Sequence, residues 1–158
     1  MTVRSCKNFA LVRYFFALCV LLAASGVAQA QAPGVRGGVS IDPDQFYFGG
    51  HFETDALVDR VHFRPNVEAG LGDDLTTIAL NFDFVYKFPQ GNGWRIYAGG
   101  GPAINFYRFD RAGNDQTDSE PGLNFLLGVE QDTGLFFEFK VGAIDSPELK
   151  FGVGWSFR

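Results

Sequence analysis

The chain has 158 residues, with 13 Lys and Arg against 18 Asp and Glu, 16% aromatic residues and 20 glycines. Three of the basic residues and none of the acidic ones fall in the first thirty positions, so the remainder is strongly acidic, a sign that argues against a nucleic-acid partner. Both cysteines, Cys6 and Cys19, lie in that same segment, which excludes a disulfide framework in residues 31–158.

The first thirty residues read as a leader. Arg4, Lys7 and Arg13 make a basic n-region, residues 14–24 an apolar stretch, and Ala28-Gln29-Ala30 a small-residue cleavage site. Residues 1–30 are expected to be a cleaved signal peptide. The apolar run is shorter than the roughly 20 residues of a membrane-spanning helix, and no cysteine stands at the cleavage point to accept a lipid anchor. Residues 31–158 are of a size for one domain.

From there, turn-forming clusters separate eight segments of alternating pattern, with no helical period in any. Residues 35–41 are short and glycine-rich. In 46–54, Phe46, Phe48 and Phe52 share a face opposite Tyr47, His51 and Glu53. Residues 55–60 read as a connection to 61–72, where Val61, Phe63, Val67 and Leu71 oppose His62, Arg64, Asn66 and Glu68. The clearest alternation is in 77–88: Ile78, Leu80, Phe82, Phe84, Tyr86 and Phe88 point one way, and Thr77, Ala79, Asn81, Asp83, Val85 and Lys87 the other. After the turn 89–93, residues 94–109 set Trp94, Ile96, Ile104 and Phe106 against Arg95, Tyr97, Asn105 and Tyr107. Residues 110–120 are polar and read as the longest connection. The sixth strand is placed near 122–130, with Leu123, Phe125, Leu127 and Val129 together. After the hairpin turn 132–134, Leu135, Phe137, Phe139, Val141 and Ala143 oppose Glu138 and Lys140. The last strand shows Leu149, Phe151, Val153, Trp155 and Phe157.

Short connections make neighbouring strands antiparallel, and an even count lets the sheet close on itself. The predicted fold is all-β, an eight-stranded antiparallel up-and-down transmembrane β-barrel. Pro65 and Pro102 lack the amide a closed ladder uses, and bulges or strand ends are expected there.

The direction of the apolar face follows from volume. About a dozen Phe, two Trp and many aliphatic residues are too much for the inside of a small barrel, whereas the opposite face mixes glycines with long charged side chains. The apolar face is therefore expected to meet lipid, as in outer-membrane barrels. With both ends of the barrel chain at the periplasm, the connection 110–120 falls outside the cell. Tyr86, Phe88, Trp94, Trp155 and Phe157 then form one aromatic girdle, and Phe46, Phe48 and Phe106 contribute to the other.

With the terminal run Leu149-Lys150-Phe151-Gly152-Val153-Gly154-Trp155-Ser156-Phe157-Arg158, the leader and the eight strands, the chain resembles the small outer-membrane β-barrel proteins of the OmpA-barrel, OmpX and opacity-protein type. The resemblance is architectural and spans residues 31–158. It implies that Phe151, Val153, Trp155 and Phe157 act as a C-terminal assembly signal for the barrel-assembly machinery. Arg158 after the terminal aromatic departs from that pattern.

Facing also assigns an interior. Arg36, Arg64, Lys87, Arg95, Lys140 and Lys150 are its cations, and Glu53, Glu68, Asp83, Glu130 and Glu138 its anions. Near balance is what a buried interior requires, and a structural network is favoured over an ion path. His51, His62 and Glu53 could serve acid-base or metal chemistry, but Ser40, Ser119, Ser146 and Ser156 stand in no recognisable motif with either histidine, so hydrogen-bonding interior histidines are expected. Asp42, Asp44, Asp73, Asp74, Asp110, Asp115, Asp118, Glu120, Asp145 and Glu148, against Arg111, read as a solvated acidic rim rather than a calcium site. No catalytic residue, cofactor or metal is assigned. The expectation is a monomeric outer-membrane barrel with outer-membrane lipid around it and a structural or surface-interaction role. A soluble periplasmic lipocalin-like barrel and a lipid-modifying barrel enzyme stand as alternatives.

Overall fold

In the computed structural model, which describes residues 32–72, 75–109, 116–144 and 146–158, the chain is almost entirely strand. The leader and its cleavage site lie outside the described residues. The strands are β1 (Ala32–Ile41), β2 (Gln45–Glu53), β3 (Ala56–Val58), β4 (Val61–Leu71), β5 (Leu75–Lys87), β6 (Trp94–Phe109), β7 (Gln116–Gln131), β8 (Leu135–Ala143) and β9 (Leu149–Ser156). All pairings are antiparallel. The order runs β2-β1-β9-β8-β7-β6-β5-β4, and β2 pairs β4 to close the ring.

β3 is not a ninth wall strand. It lies on β4 in continuation of β2: Phe46↔Leu71 to His51↔Asn66 belong to β2, then the Thr54 amide donates to the Phe63 carbonyl, and Ala56 faces His62. β2 and β3 thus share one position in the wall, which leaves eight. Residues 55–60, which read from sequence as a connection, are therefore partly strand.

The expected long connection is also shorter. Residues 116–121 are strand, paired with β6 from Phe109↔Gln116 to Ile104↔Pro121. Their composition is that of a loop, but the ladder offered by β6 supplies backbone partners that local propensity does not. Only 110–115 remain between the strands, and they lie outside the described residues.

Both prolines sit inside strands, without the bulges expected for them. The β4–β5 offset runs unchanged through Pro65↔Phe82, while the β2–β4 ladder stops next door at Asn66. On β6, the pairs flanking Pro102, Asn81↔Ala103 and Phe84↔Gly100, keep one offset, and Pro102 itself stays paired to Leu123 on its other side. Each proline turns its amide-less edge toward a local gap and keeps the ladder on the other edge. Gly99 and Gly101 beside Pro102 have a related reason: a Cβ at either would run into the carbonyl oxygen of Phe84 or Phe82.

Burial alternates residue by residue along the strands. Ile78, Phe82, Phe84 and Tyr86 are exposed, while Ala79, Asn81, Asp83, Val85 and Lys87 are buried, Asp83 completely. Phe46 is 76% exposed, and Phe48, Phe52, Phe125, Leu127 and Phe151 also face outward. The molecule is apolar outside and charged inside. Between the ion pairs the lumen is filled by Tyr47, Val85, Tyr97, Leu126 and Phe136.

Candidate functional site: the charged lumen and its mouth

Inward-facing charges from β1, β2, β4, β5, β6, β7, β8 and β9 meet in one network. At its centre, Glu138 on β8 receives Arg36 Nη1 at 2.9 Å, Arg64 Nη1 at 3.2 Å and the Tyr97 hydroxyl at 3.0 Å. Toward the end bearing residues 42–44 and 146–148, Glu68 pairs with Arg36 at 3.3 Å and Lys150 at 2.8 Å. Lys140 lies 3.0 Å from Asp83 and 3.8 Å from Glu68. Toward the other end, Glu53 takes Arg64 Nη2 at 2.6 Å and also Lys87. Glu130 is the hub there, with Lys87 at 2.9 Å, Arg158 at 2.8 Å, Arg95 at 3.3 Å and Arg64 at 3.7 Å.

The predicted interior residues Arg64, Glu68, Asp83, Lys87, Arg95, Glu130, Glu138 and Lys140 are thus brought together. Among the described residues, five cations (Arg36, Arg64, Lys87, Lys140 and Lys150) and five carboxylates (Glu53, Glu68, Asp83, Glu130 and Glu138) are buried, so burial leaves neither sign in excess. Without that balance, each unpaired ion would cost several kcal/mol. Arg95 and Arg158 differ: each side chain is 30% exposed and sits at the mouth.

Several participants are not legible from sequence. Arg64 lies 4.5 Å over the Tyr97 ring and 5.7 Å from that of Phe136, an aromatic residue on the charged side of β8. A relay of amides crosses the lumen: Asn124 donates to Asn81 at 2.7 Å, Asn81 to Asn66 at 2.7 Å, and Asn66 to Asp83 at 2.9 Å. Period two places these residues inside, but their meeting depends on the stagger between strands.

No sequence motif joins either histidine to a serine, yet His51, expected as a hydrogen-bonding interior histidine, has Ser156 as its partner. The two are 105 positions apart, yet the stagger of β1, β2 and β9 brings His51 Nε2 within 3.0 Å of Ser156 Oγ. Both are buried, and the His51 ring meets Phe136 edge-on. His51 Nδ1 has no hydrogen-bond partner among the described residues, so the pair lacks the orienting acceptor of a catalytic triad. If the pair is structural, Ser156→Ala should cost about 1–3 kcal/mol, the penalty of stranding a buried polar group. Urea unfolding in lipid vesicles would measure it. His62 stands apart at the mouth, with Nδ1 2.8 Å from the Thr54 carbonyl. Of the acidic rim, Asp42, Asp44, Asp118, Glu120 and Glu148 are described. Asp73, Asp74, Asp110, Arg111, Asp115 and Asp145 lie outside the described residues.

The predicted C-terminal signal occupies β9 and the residue after it. Phe151, Val153, Trp155 and Phe157 all face outward, and the Phe157 amide donates to the Pro33 carbonyl at 2.7 Å.

No protein-family model and no curated protein matches the chain. Solved structures do. The N-terminal β-barrel domain of Pseudomonas aeruginosa OprF is similar with a TM-score of 0.63 at 18% identity, covering 80% of this chain and 96% of that one. Neisserial surface protein A (NspA) is similar with a TM-score of 0.55 at 15% identity, covering 80% and 95% respectively. At such identities the likeness is one of fold. With the closed ring, the outward apolar band and the charged lumen, it makes this chain an eight-stranded antiparallel barrel with the fold of the small, OmpA-like outer-membrane barrels.

Proposed function

We propose that the chain is an integral outer-membrane barrel, exported through its cleaved leader, with a structural or surface-interaction role and a lumen closed by its own side chains. The observation that carries this is the facing. Burying a Phe or Leu side chain gains about 1.5–3 kcal/mol over leaving it in water, and here Phe46, Phe48, Phe52, Phe84, Phe125, Leu127 and Phe151 are all turned outward. A bilayer removes that penalty at every one of them. A lipocalin-like barrel needs the same side chains turned inward around an apolar ligand, so the soluble reading has no support in this arrangement.

The aromatic residues supply the edges of the band. Tyr86, Phe88, Trp94, Trp155 and Phe157 project outward near one end, as side chains at the headgroup level of a membrane do. On this reading Phe157 and the alternating residues of β9 form the signal for the assembly machinery, and lipid, rather than a second copy, covers the apolar wall. Support for a closed lumen comes from the ion pairs that cross it and from the narrow bore of eight strands.

The test is gel migration of protein from isolated membranes, in SDS with and without boiling, beside fractionation of the envelope. Heat-dependent migration together with retention in the outer-membrane fraction is expected. Release as a soluble periplasmic protein would overturn the proposal.

A further inference from the structure

The mouth near Glu130 has a feature that a closed, purely structural barrel does not need. Between the turn at residues 59–60 and the connection 88–93 lies a pocket of about 260 Å³, with Arg60, His62, Lys87, Phe88, Gln90 and Arg95 among its walls. Its walls are braced by hydrogen bonds. The Lys87 amide donates to the Arg60 carbonyl at 3.0 Å, Arg95 Nη2 donates to Gln90 Oε1 at 2.8 Å, and Gln90 is in turn held by Asp132.

Its charge is one-sided. Arg60, Lys87 and Arg95 line the pocket against one carboxylate, Asp59. The carboxylates behind it are already shared: Glu53 serves Arg64 and Lys87, and Glu130 serves Arg64, Lys87, Arg95 and Arg158. Arg60 has no ion-pair partner among the described residues. Arg60 is exposed and so is free to meet an oxyanion with several acceptor oxygens, and guanidinium groups favour phosphate for its matching geometry.

Position names the source of that phosphate. Phe88, in the pocket wall, packs edge to face with Tyr86 at 5.0 Å and belongs to the aromatic girdle. The pocket therefore opens at headgroup depth, with Phe88 as an apolar lip toward the hydrocarbon, Lys87 and Arg95 toward the lumen, and Arg60 exposed at its rim. We infer that this pocket binds the headgroup phosphate of a phospholipid in the periplasmic leaflet. The inference rests on the membrane-spanning reading proposed for the chain.

The experiment uses the full chain in mild detergent, first shown to be folded by heat-dependent migration, and native mass spectrometry to read retained lipid. The probes are a phosphatidylglycerol, the diacylglycerol with the same chains, and inorganic phosphate. Phosphatidylglycerol should be retained and diacylglycerol lost. Arg60→Gln, which breaks no ion pair among the described residues, should weaken retention about fivefold, the effect of roughly one surface cation. Asp59→Asn removes the opposing charge in a turn whose φ of 49° asparagine also adopts, and it should strengthen retention. Equal retention by Arg60→Gln, or of diacylglycerol, would overturn the inference. So would Arg60-dependent binding of inorganic phosphate without binding of the phospholipid. A chain with no heat-dependent migration would remove the membrane reading and this inference with it, whereas a heat-modifiable chain indifferent to Arg60 removes the inference alone.

Discussion

Arg64→Met should lower the unfolding free energy of the barrel by about 3–5 kcal/mol, the cost of breaking a buried ion pair from one side. Arg64 is 1% exposed and pairs with Glu53 at 2.6 Å and Glu138 at 3.2 Å, with its guanidinium over Tyr97. Methionine fills much of the volume but leaves Glu53 to Lys87 alone and Glu138 to cations on one side of the lumen. Arg95→Gln provides the contrast. Its side chain is 30% exposed, its partner Glu130 keeps three other cations, and a loss of no more than about 1 kcal/mol is expected. Urea-induced unfolding in lipid vesicles, followed by gel migration, gives both values. Equal losses would mean that the network is not what holds the lumen together.

Phe82→Arg should impair folding into a bilayer by about 2–4 kcal/mol, the cost of a cation on the lipid face near the midplane. Phe82 points outward from the middle of β5, beside Pro65 of β4. Ala79→Ser, three residues away on the same strand, adds a hydroxyl to a polar lumen and should be nearly neutral, because Ala79 is 1% exposed and faces inward. Folding yield into vesicles of graded thickness would separate them. Similar penalties for the two would invert the facing on which the membrane reading depends.

The alternation in residues 77–88 is enough to assign a face to every side chain of β5, and the same period places Arg64, Asp83, Lys87 and Glu138 on one side of the wall. Period two is a property of a single strand, so it is legible in a single strand. Who meets whom inside depends on stagger, which is a property of the ring. That is why Arg64 can be placed indoors but not against Glu53 and Glu138, and why Ser156 shows no sign of reaching His51. Residues 116–121 escape the sequence for another reason: Asp118, Ser119 and Glu120 carry turn chemistry, and only the presence of β6 alongside makes them strand. Pro65 and Pro102 look like interruptions because a proline costs an amide. They cost less here, since each strand has two edges and the missing amide affects one.

The seam between β1 and β9 runs from Gly34↔Ser156 to Ile41↔Leu149 and is an ordinary antiparallel ladder, with nothing in its pairing to mark it as the place where the ring was closed. The Phe157 amide reaches the Pro33 carbonyl across it. The barrel wall is therefore cyclic in everything but its covalent chain, and the strand counted as first is a matter of where the peptide is cut. A circular permutant that joins residues 32 and 158 by a short linker and opens the chain within 132–134 would inherit the same neighbouring strands all round the ring. The order of strands around the ring would survive, while the order in which they leave the ribosome would not.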